Sequence, residues 1–209
     1  SEQLIGAVLK KRKGRENVFI ATKVPPKDWQ WPAKEGSRAE EIFPGSWIRQ
    51  CTERSLKQLG TDYVDLQQLH VWAPSWLNHG DWLEELRKLK KEGKIRWLGI
   101  SINDHEPDSA IEVVKSGVID SVQVIYNIFD QSPEEKLLPL CREHRVGVIV
   151  RVPLDEGGLS GKLKPETRFV GDDWRQNYFK GDRLRETCER VDEFKGLLNE
   201  EAKSEPELA

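Results

Sequence analysis

The chain has 209 residues and not one methionine. Cysteine is scarce: Cys51, Cys141 and Cys188 form no CxxC pair and are odd in number. That excludes a disulfide framework and a thiolate metal knot, and reads as three reduced thiols in a reducing, cytoplasmic setting. No apolar run approaches a membrane span, and no secretory signal opens the chain. Charge of one sign is also lacking. The formal net charge is −3, which argues against a nucleic-acid groove or a patch for anionic membranes. His79, His105 and His144 show no ligand spacing, so no metal site is expected. No GxGxxG follows a strand-like segment, which counts against a dinucleotide-binding doubly wound domain.

What is present is 37% hydrophobic and 33% charged, ordinary for a single globular domain with a large core, here residues 1–209. Five segments read as strands. Val18 to Thr22 ends on Lys23, and Val64 to Leu69 ends on His70. Ile95 to Ile100 leads into Ser101 and Asn103. A short strand within Val118 to Ile125 includes Gln123, and Val146 to Val152 includes Arg151. Helical spacing separates them. Ile48, Cys51, Leu56 and Leu59 lie on one face, after Ser46 as an expected N-cap and before Gly60. Asp81 with Glu84 predicts a capping box ahead of Trp82, Leu86 and Leu89. Pro139 must kink or restart the helix that carries it. Arg145 stands where a helix-ending glycine is expected. A last amphipathic helix carries Leu184, Cys188, Val191, Phe194 and Leu198.

Strand–helix alternation without hairpin signals implies a parallel sheet with right-handed crossovers. An open sheet and a barrel both satisfy that pattern. Alternation puts Phe19, Ala21 and Lys23 on one side of their strand, and Leu66, Gln68 and His70 on one side of theirs. A polar Gln68 in that set suits the upper layer of a barrel that opens on a site. The chain begins within a helical pattern (Leu4, Ile5, Val8, Leu9) and stops just after Pro206, which looks like another helix start. With no methionine, it reads as a piece of a longer protein.

Residues at the carboxyl ends of strands are where α/β folds place chemistry. Lys23 and His70 both end strands, and each is followed by an aromatic loop. Trp29, Trp31, Trp72 and Trp76 are therefore expected to wall a substrate pocket. Trp47, Trp82 and Trp97 are expected to pack, and Trp174 fits either role. Taken singly, Lys23 also reads as a rim lysine paired with a carboxylate, and His70 as a satisfied core histidine.

Several runs carry a family resemblance. They are Ala21-Thr22-Lys23-Val24, Leu59-Gly60-Thr61-Asp62-Tyr63-Val64-Asp65-Leu66 with His70, and Gly93-Lys94-Ile95-Arg96-Trp97-Leu98-Gly99-Ile100-Ser101. Gln123 with Tyr126-Asn127, and Leu137-Leu138-Pro139-Leu140-Cys141, join them in collinear order. The chain resembles the aldo-keto reductase family over nearly its whole length. The resemblance implies an α/β fold, a (β/α)8 TIM barrel represented here by about five βα units of an incomplete barrel. It implies reduction of aldehydes or ketones with NADPH, without metal.

Of the family's Asp, Tyr, Lys and His tetrad, Lys23 and His70 map here. The Asp and Tyr are expected on a segment before Ser1, so the fragment itself is expected to be inactive. The tyrosine protonates the carbonyl oxygen, the lysine cation lowers the cost of the phenolate, and the histidine orients the carbonyl. The resemblance assigns Ser101 and Gln123 to the nicotinamide carboxamide. Ile102 replaces the usual asparagine, and Asn103, one place later, is taken as a cofactor contact on the same resemblance. Arg151 stands where an aromatic usually stacks on the nicotinamide, and a guanidinium plane can stack too. Leu154, Gly161 and Lys162 lie in the loop that would pass the pyrophosphate. Two other readings stay open: a Schiff-base aldolase using Lys23, and a non-catalytic barrel subunit that binds nicotinamide nucleotide.

Overall fold

Strand order in the computed structural model is β1-β2-β3-β4-β5, with residues 1–12, 14–34 and 36–209 described. The elements follow one another as α1 (Glu2–Arg12), β1 (Ala21–Val24), α2 (Ala39–Ile42), α3 (Gly45–Leu59), β2 (Val64–Leu69), α4 (Trp82–Lys91) and β3 (Ile95–Ser101). Then come α5 (Ile111–Lys115), β4 (Ser121–Ile125), α6 (Leu137–His144), β5 (Gly147–Arg151), α7 (Arg175–Tyr178), α8 (Arg183–Phe194) and α9 (Glu205–Leu208). The first three strand pairings are parallel, as the alternation requires. The chain separates into two compact units.

The first unit, Ser1–Val124 with Ser132–Ile149, holds most of the sheet. Its core lies on one face of the strands, where Val24, Leu69, Ile100 and Val122 meet Ile48, Leu59, Leu86, Leu89 and Val114 from the helices. Helical spacing selects those side chains on α3 and α4, and their burial drives the packing, at roughly 2 kcal/mol for each leucine-sized side chain. Gly60 ends α3 in the left-handed region at φ 65°. Arg145 does the same after α6 at φ 57°, a conformation that costs an arginine energy and glycine almost none.

Register fixes the other face. Ala21 pairs with Leu66 and Lys23 with Gln68, Gln68 with Gly99, and Gly99 with Ser121. A side chain at Gly99 would collide with the Ser121 hydroxyl, so glycine is what lets this row close up. At the amino end, Asp65 is 3% exposed. Its carboxylate accepts the Ile20 N–H at 2.8 Å and Arg15 Nη2 at 2.7 Å, and Arg96 Nη1 at 3.0 Å. Burial alone would push the Asp65 carboxyl up, but the Ile20 N–H, the Arg15 hydrogen bond and the Arg15 and Arg96 charges hold it below its usual value.

Several local expectations shift. The ladder of β1 starts at Ala21, not Val18, because both backbone groups of Val18 are taken by Arg15: its N–H donates to the Arg15 carbonyl and its carbonyl accepts Arg15 Nη1 at 2.6 Å. Helix α3 starts at Gly45 behind Pro44, not after Ser46. Asp81 precedes α4 but makes no side-chain cap; its Oδ1 accepts the Gly45 N–H at 2.8 Å and ties the starts of α3 and α4 together. Pro139 falls in the first turn of α6, where its missing N–H costs nothing. Trp97 is 48% exposed rather than packed.

The second unit is Ile125–Gln131 with Val150–Ala209. Its small core is Phe179, Leu184 and Cys188, packed by Leu163, Phe169 and Tyr178. The Tyr178 hydroxyl donates to Asp155, which is 5% exposed. Arg183 lies over the Tyr178 ring at 3.8 Å, and Arg175 over the Phe169 ring at 4.7 Å.

Candidate active site

Four of the residues singled out above converge at the carboxyl ends of the first unit's strands. Lys23 is on β1. His70 directly follows β2, and its N–H donates to the Val24 carbonyl at 3.0 Å. Ser101 ends β3 and pairs in register with Gln123 on β4. Carrying the Leu69–Ile100 pairing one residue further sets His70 opposite Ser101. Alternation puts all four side chains on one face of the sheet. The Lys23 ammonium donates to Gln123 Oε1 at 3.1 Å, across a hundred residues of sequence. Lys23 and His70 are half-buried, while Ser101 and Gln123 are 2% and 9% exposed.

Chemically this is a cation, an imidazole, a hydroxyl and an amide around one mouth. The amide and hydroxyl are suited to a carboxamide, and the cation and imidazole to an oxygen that gains negative charge. A separate cavity of about 380 Å³ opens nearer the amino ends of the strands, lined by Phe19, Leu66, Trp97, Ser121, Gly147 and Ile149. None of the four strand-end residues lines it.

The tryptophans divide. Trp31 lies edge-to-face on the His70 imidazole with centroids 5.5 Å apart, and Trp29 stands edge-to-face on Trp31 at 5.9 Å. They remain 45% and 58% exposed. Trp72 and Trp76 turn into the core, and Trp76 also borders a cavity of about 310 Å³ with Ser37, Ala39 and His79. The two indoles are 0% and 1% exposed, packed with Trp82 and Phe43 in the core. The Trp76 indole N–H is taken by the Ser37 carbonyl and that of Trp82 by the Trp76 carbonyl, so the aromatic loop after β2 folds inward.

Asn103 is 8% exposed and its amide is engaged. Oδ1 accepts the Ala33 N–H at 3.1 Å, and Nδ2 donates to Glu106 at 3.0 Å. Nothing in the sequence pairs Asn103 with Ala33; a buried amide after a strand end only signals that some partner exists.

Arg151, Leu154, Gly161 and Lys162 lie in the second unit. Arg151 ends β5. Leu154 opens a 3-10 stretch, Asp155–Ser160, which Gly161 closes at φ 67°. The stretch is kinked: Val152, Asp155 and Glu156 have φ of 58°, 45° and 56°. Backbone of that kind persists only when its surroundings hold it, as the Asn127 amide on the Val152 carbonyl (2.9 Å) and Tyr178 on Asp155 do here. Lys162 is exposed. Among the described residues, no group of three or more His, Cys, Asp or Glu could hold a metal ion, and no helix is long and apolar enough to cross a membrane.

A family model described as "Aldo/keto reductase family" matches residues 1–209. The aldo-keto reductase YhdN of Bacillus subtilis is 30% identical over 201 residues, 94% of this chain and 57% of that protein. The solved glycerol dehydrogenase of Gluconobacter oxydans superposes with a TM-score of 0.75 at 26% identity, covering 98% of this chain and 62% of that one. An aldo/keto reductase of Klebsiella pneumoniae solved with NADP and acetate gives 0.57 at 26% identity, covering 88% and 58%. The chain thus spans a little over half the length of the relatives it matches.

Proposed function

Because the chain belongs to the aldo/keto reductase family, we propose that the protein it forms part of reduces aldehydes or ketones to alcohols with a reduced nicotinamide nucleotide. The reading of residues 1–209 as one stretch of a single (β/α)8 barrel domain is part of this proposal. So is a cytoplasmic location, in keeping with three free thiols. NADPH is the cofactor we favour, on the resemblance and on the Klebsiella relative solved with NADP.

The observation that carries the reading is the meeting of Lys23 with Gln123 beside His70 and Ser101. The bound nucleotide supplies a hydride. Ser101 and Gln123 hold and orient the carboxamide, through one hydroxyl and one amide that are already desolvated. His70 donates a hydrogen bond to the substrate carbonyl, and the Lys23 ammonium favours the anionic form of the proton-donating group. Arg151, Leu154, Gly161 and Lys162 are cofactor contacts on the resemblance alone.

The test is Lys23→Met in the full-length protein. NADPH oxidation with an aldehyde should fall at least about a hundredfold, the scale for deleting one preorganised electrostatic group, with the circular dichroism unchanged. Near-normal turnover would sink the role of Lys23. Borohydride trapping of a carbonyl substrate on Lys23 would favour the aldolase reading instead.

A further inference from the structure

The segment between β1 and α3 is long, yet it is pinned at four points. The Trp47 indole donates to the Pro25 carbonyl at 2.8 Å, and the Lys27 N–H to Ile42 at 3.0 Å. The Ala33 N–H donates to Asn103 Oδ1 at 3.1 Å, and the Trp76 indole to the Ser37 carbonyl at 2.7 Å. Between the second and third pins stand Trp29 and Trp31. Trp29 is held at φ 55°, a conformation that bulky residues adopt only when the surroundings impose it.

Two indoles half out of water on a tethered segment are unexpected where Trp72, Trp76 and Trp82 are sunk in the core. The stacking direction is informative. Each contact in the series Trp29, Trp31, His70 is edge-to-face, and both indoles keep about half of their surface turned to solvent next to the imidazole. The Asn103 amide ties this arm to the loop after β3 and is itself steadied by Glu106.

We propose that residues 28–33 form a substrate-selecting arm for carbonyls conjugated to an aromatic ring, and that Asn103 is its positioning residue rather than a cofactor contact. The proposal rests on the carbonyl-reductase reading. Trp31 offers an indole face to the aryl group while His70 meets the carbonyl oxygen. Asn103 acts through the arm and touches neither the substrate nor the reacting atoms.

The experiment compares benzaldehyde with glyceraldehyde, a small polar aldehyde, in the full-length protein. The ratio of their kcat/KM values should fall about tenfold in Trp31→Ala and in Asn103→Ala, the scale of one lost aromatic stack. The double variant should fall no further than Trp31→Ala alone, because a residue that acts only through Trp31 has nothing left to position. A merely structural Asn103 would lower both substrates alike and add its effect in the double variant; that result, or an unmoved ratio in Trp31→Ala, overturns the proposal. Saturation-transfer NMR of benzaldehyde, which needs no turnover, separates the two readings. If the wild type reduces neither aldehyde but binds benzaldehyde, and Trp31→Ala abolishes that binding, the arm stands and the reductase reading falls. Benzaldehyde binding unchanged in Trp31→Ala removes the arm. Trp31 is half-exposed, so its variant folds even where Asn103→Ala loosens the loop.

Discussion

The two units place their candidate residues by different means. In the first, Lys23, His70, Ser101 and Gln123 sit at strand ends whose register is set by backbone hydrogen bonds and by a buried face. A slip of one residue would turn every core side chain outward, so the row is strongly specified. In the second, Arg151, Leu154, Gly161 and Lys162 lie along a kinked turn with three non-glycine residues at positive φ, over a core of a few aromatic and aliphatic groups. A strand end inherits its position from the whole sheet. A turn of this kind depends on a few side-chain hydrogen bonds, and each of those is a point at which it can be broken.

The largest effect should come from the first unit's own charged clamp. Asp65→Asn leaves Arg15 and Arg96 without their carboxylate and should cost about 3 kcal/mol of stability at pH 7, the low end for breaking a buried pair. The sign of the pH dependence follows from the depressed carboxyl. Its stabilisation is present above the unfolded carboxylate value and is lost as pH falls through the lower folded value. Urea midpoints of wild type and variant should therefore converge on going from pH 7 to about pH 3. A gap that stays constant would mean that the charge is not what matters at Asp65.

That clamp also shows how far the sequence could be read. The five strands and the face shared by Lys23, Gln68 and His70 were legible, because alternation of apolar residues has a fixed period. So was Arg145 as a left-handed helix end. Trp72 and Trp76 were not, since a tryptophan after a strand end can turn inward or outward, and the choice here belongs to Phe43, Trp82 and the Ser37 carbonyl. Asp81 looked like a helix cap, yet its carboxylate bonds to the start of a different helix, which no local pattern encodes. Asn103 and Ala33 are seventy residues apart, and only the folded chain joins them.

A smaller effect, confined to the second unit, is expected of Tyr178→Phe. Burial, then the hydrogen bond and charge of Asp155, hold the Tyr178 hydroxyl above the usual phenol range, so it stays a donor at neutral pH. Removing it leaves the buried Asp155 without this partner and should cost about 1–2 kcal/mol. If the two units open independently, amide exchange should quicken across residues 150–209 and leave β2 and β3 unchanged. Equal acceleration in the sheet would show that both open as one cooperative body.

The smallest difference should appear in the wild-type thiols. Burial pushes the Cys141 thiol up to about 11. Burial also raises Cys51, opposed by Arg54, and raises Cys188 together with its acidic neighbours Asp192, Glu166 and Glu189. At pH 7 all three are protonated and inert, since the thiolate is the nucleophile, so iodoacetamide can label them only through local opening. Cys51 and Cys141 are 2% and 1% exposed within the large core, whereas Cys188 is 9% exposed in the small one. Mass spectrometry of a labelling time course should find Cys188 modified a few-fold sooner than the other two, because elements with few buried contacts open at lower free energy. Tyr178→Phe should widen that lead by loosening the turn and the aromatic packing around α8. Labelling of Cys51 or Cys141 ahead of Cys188 would reverse the stability order of the two units.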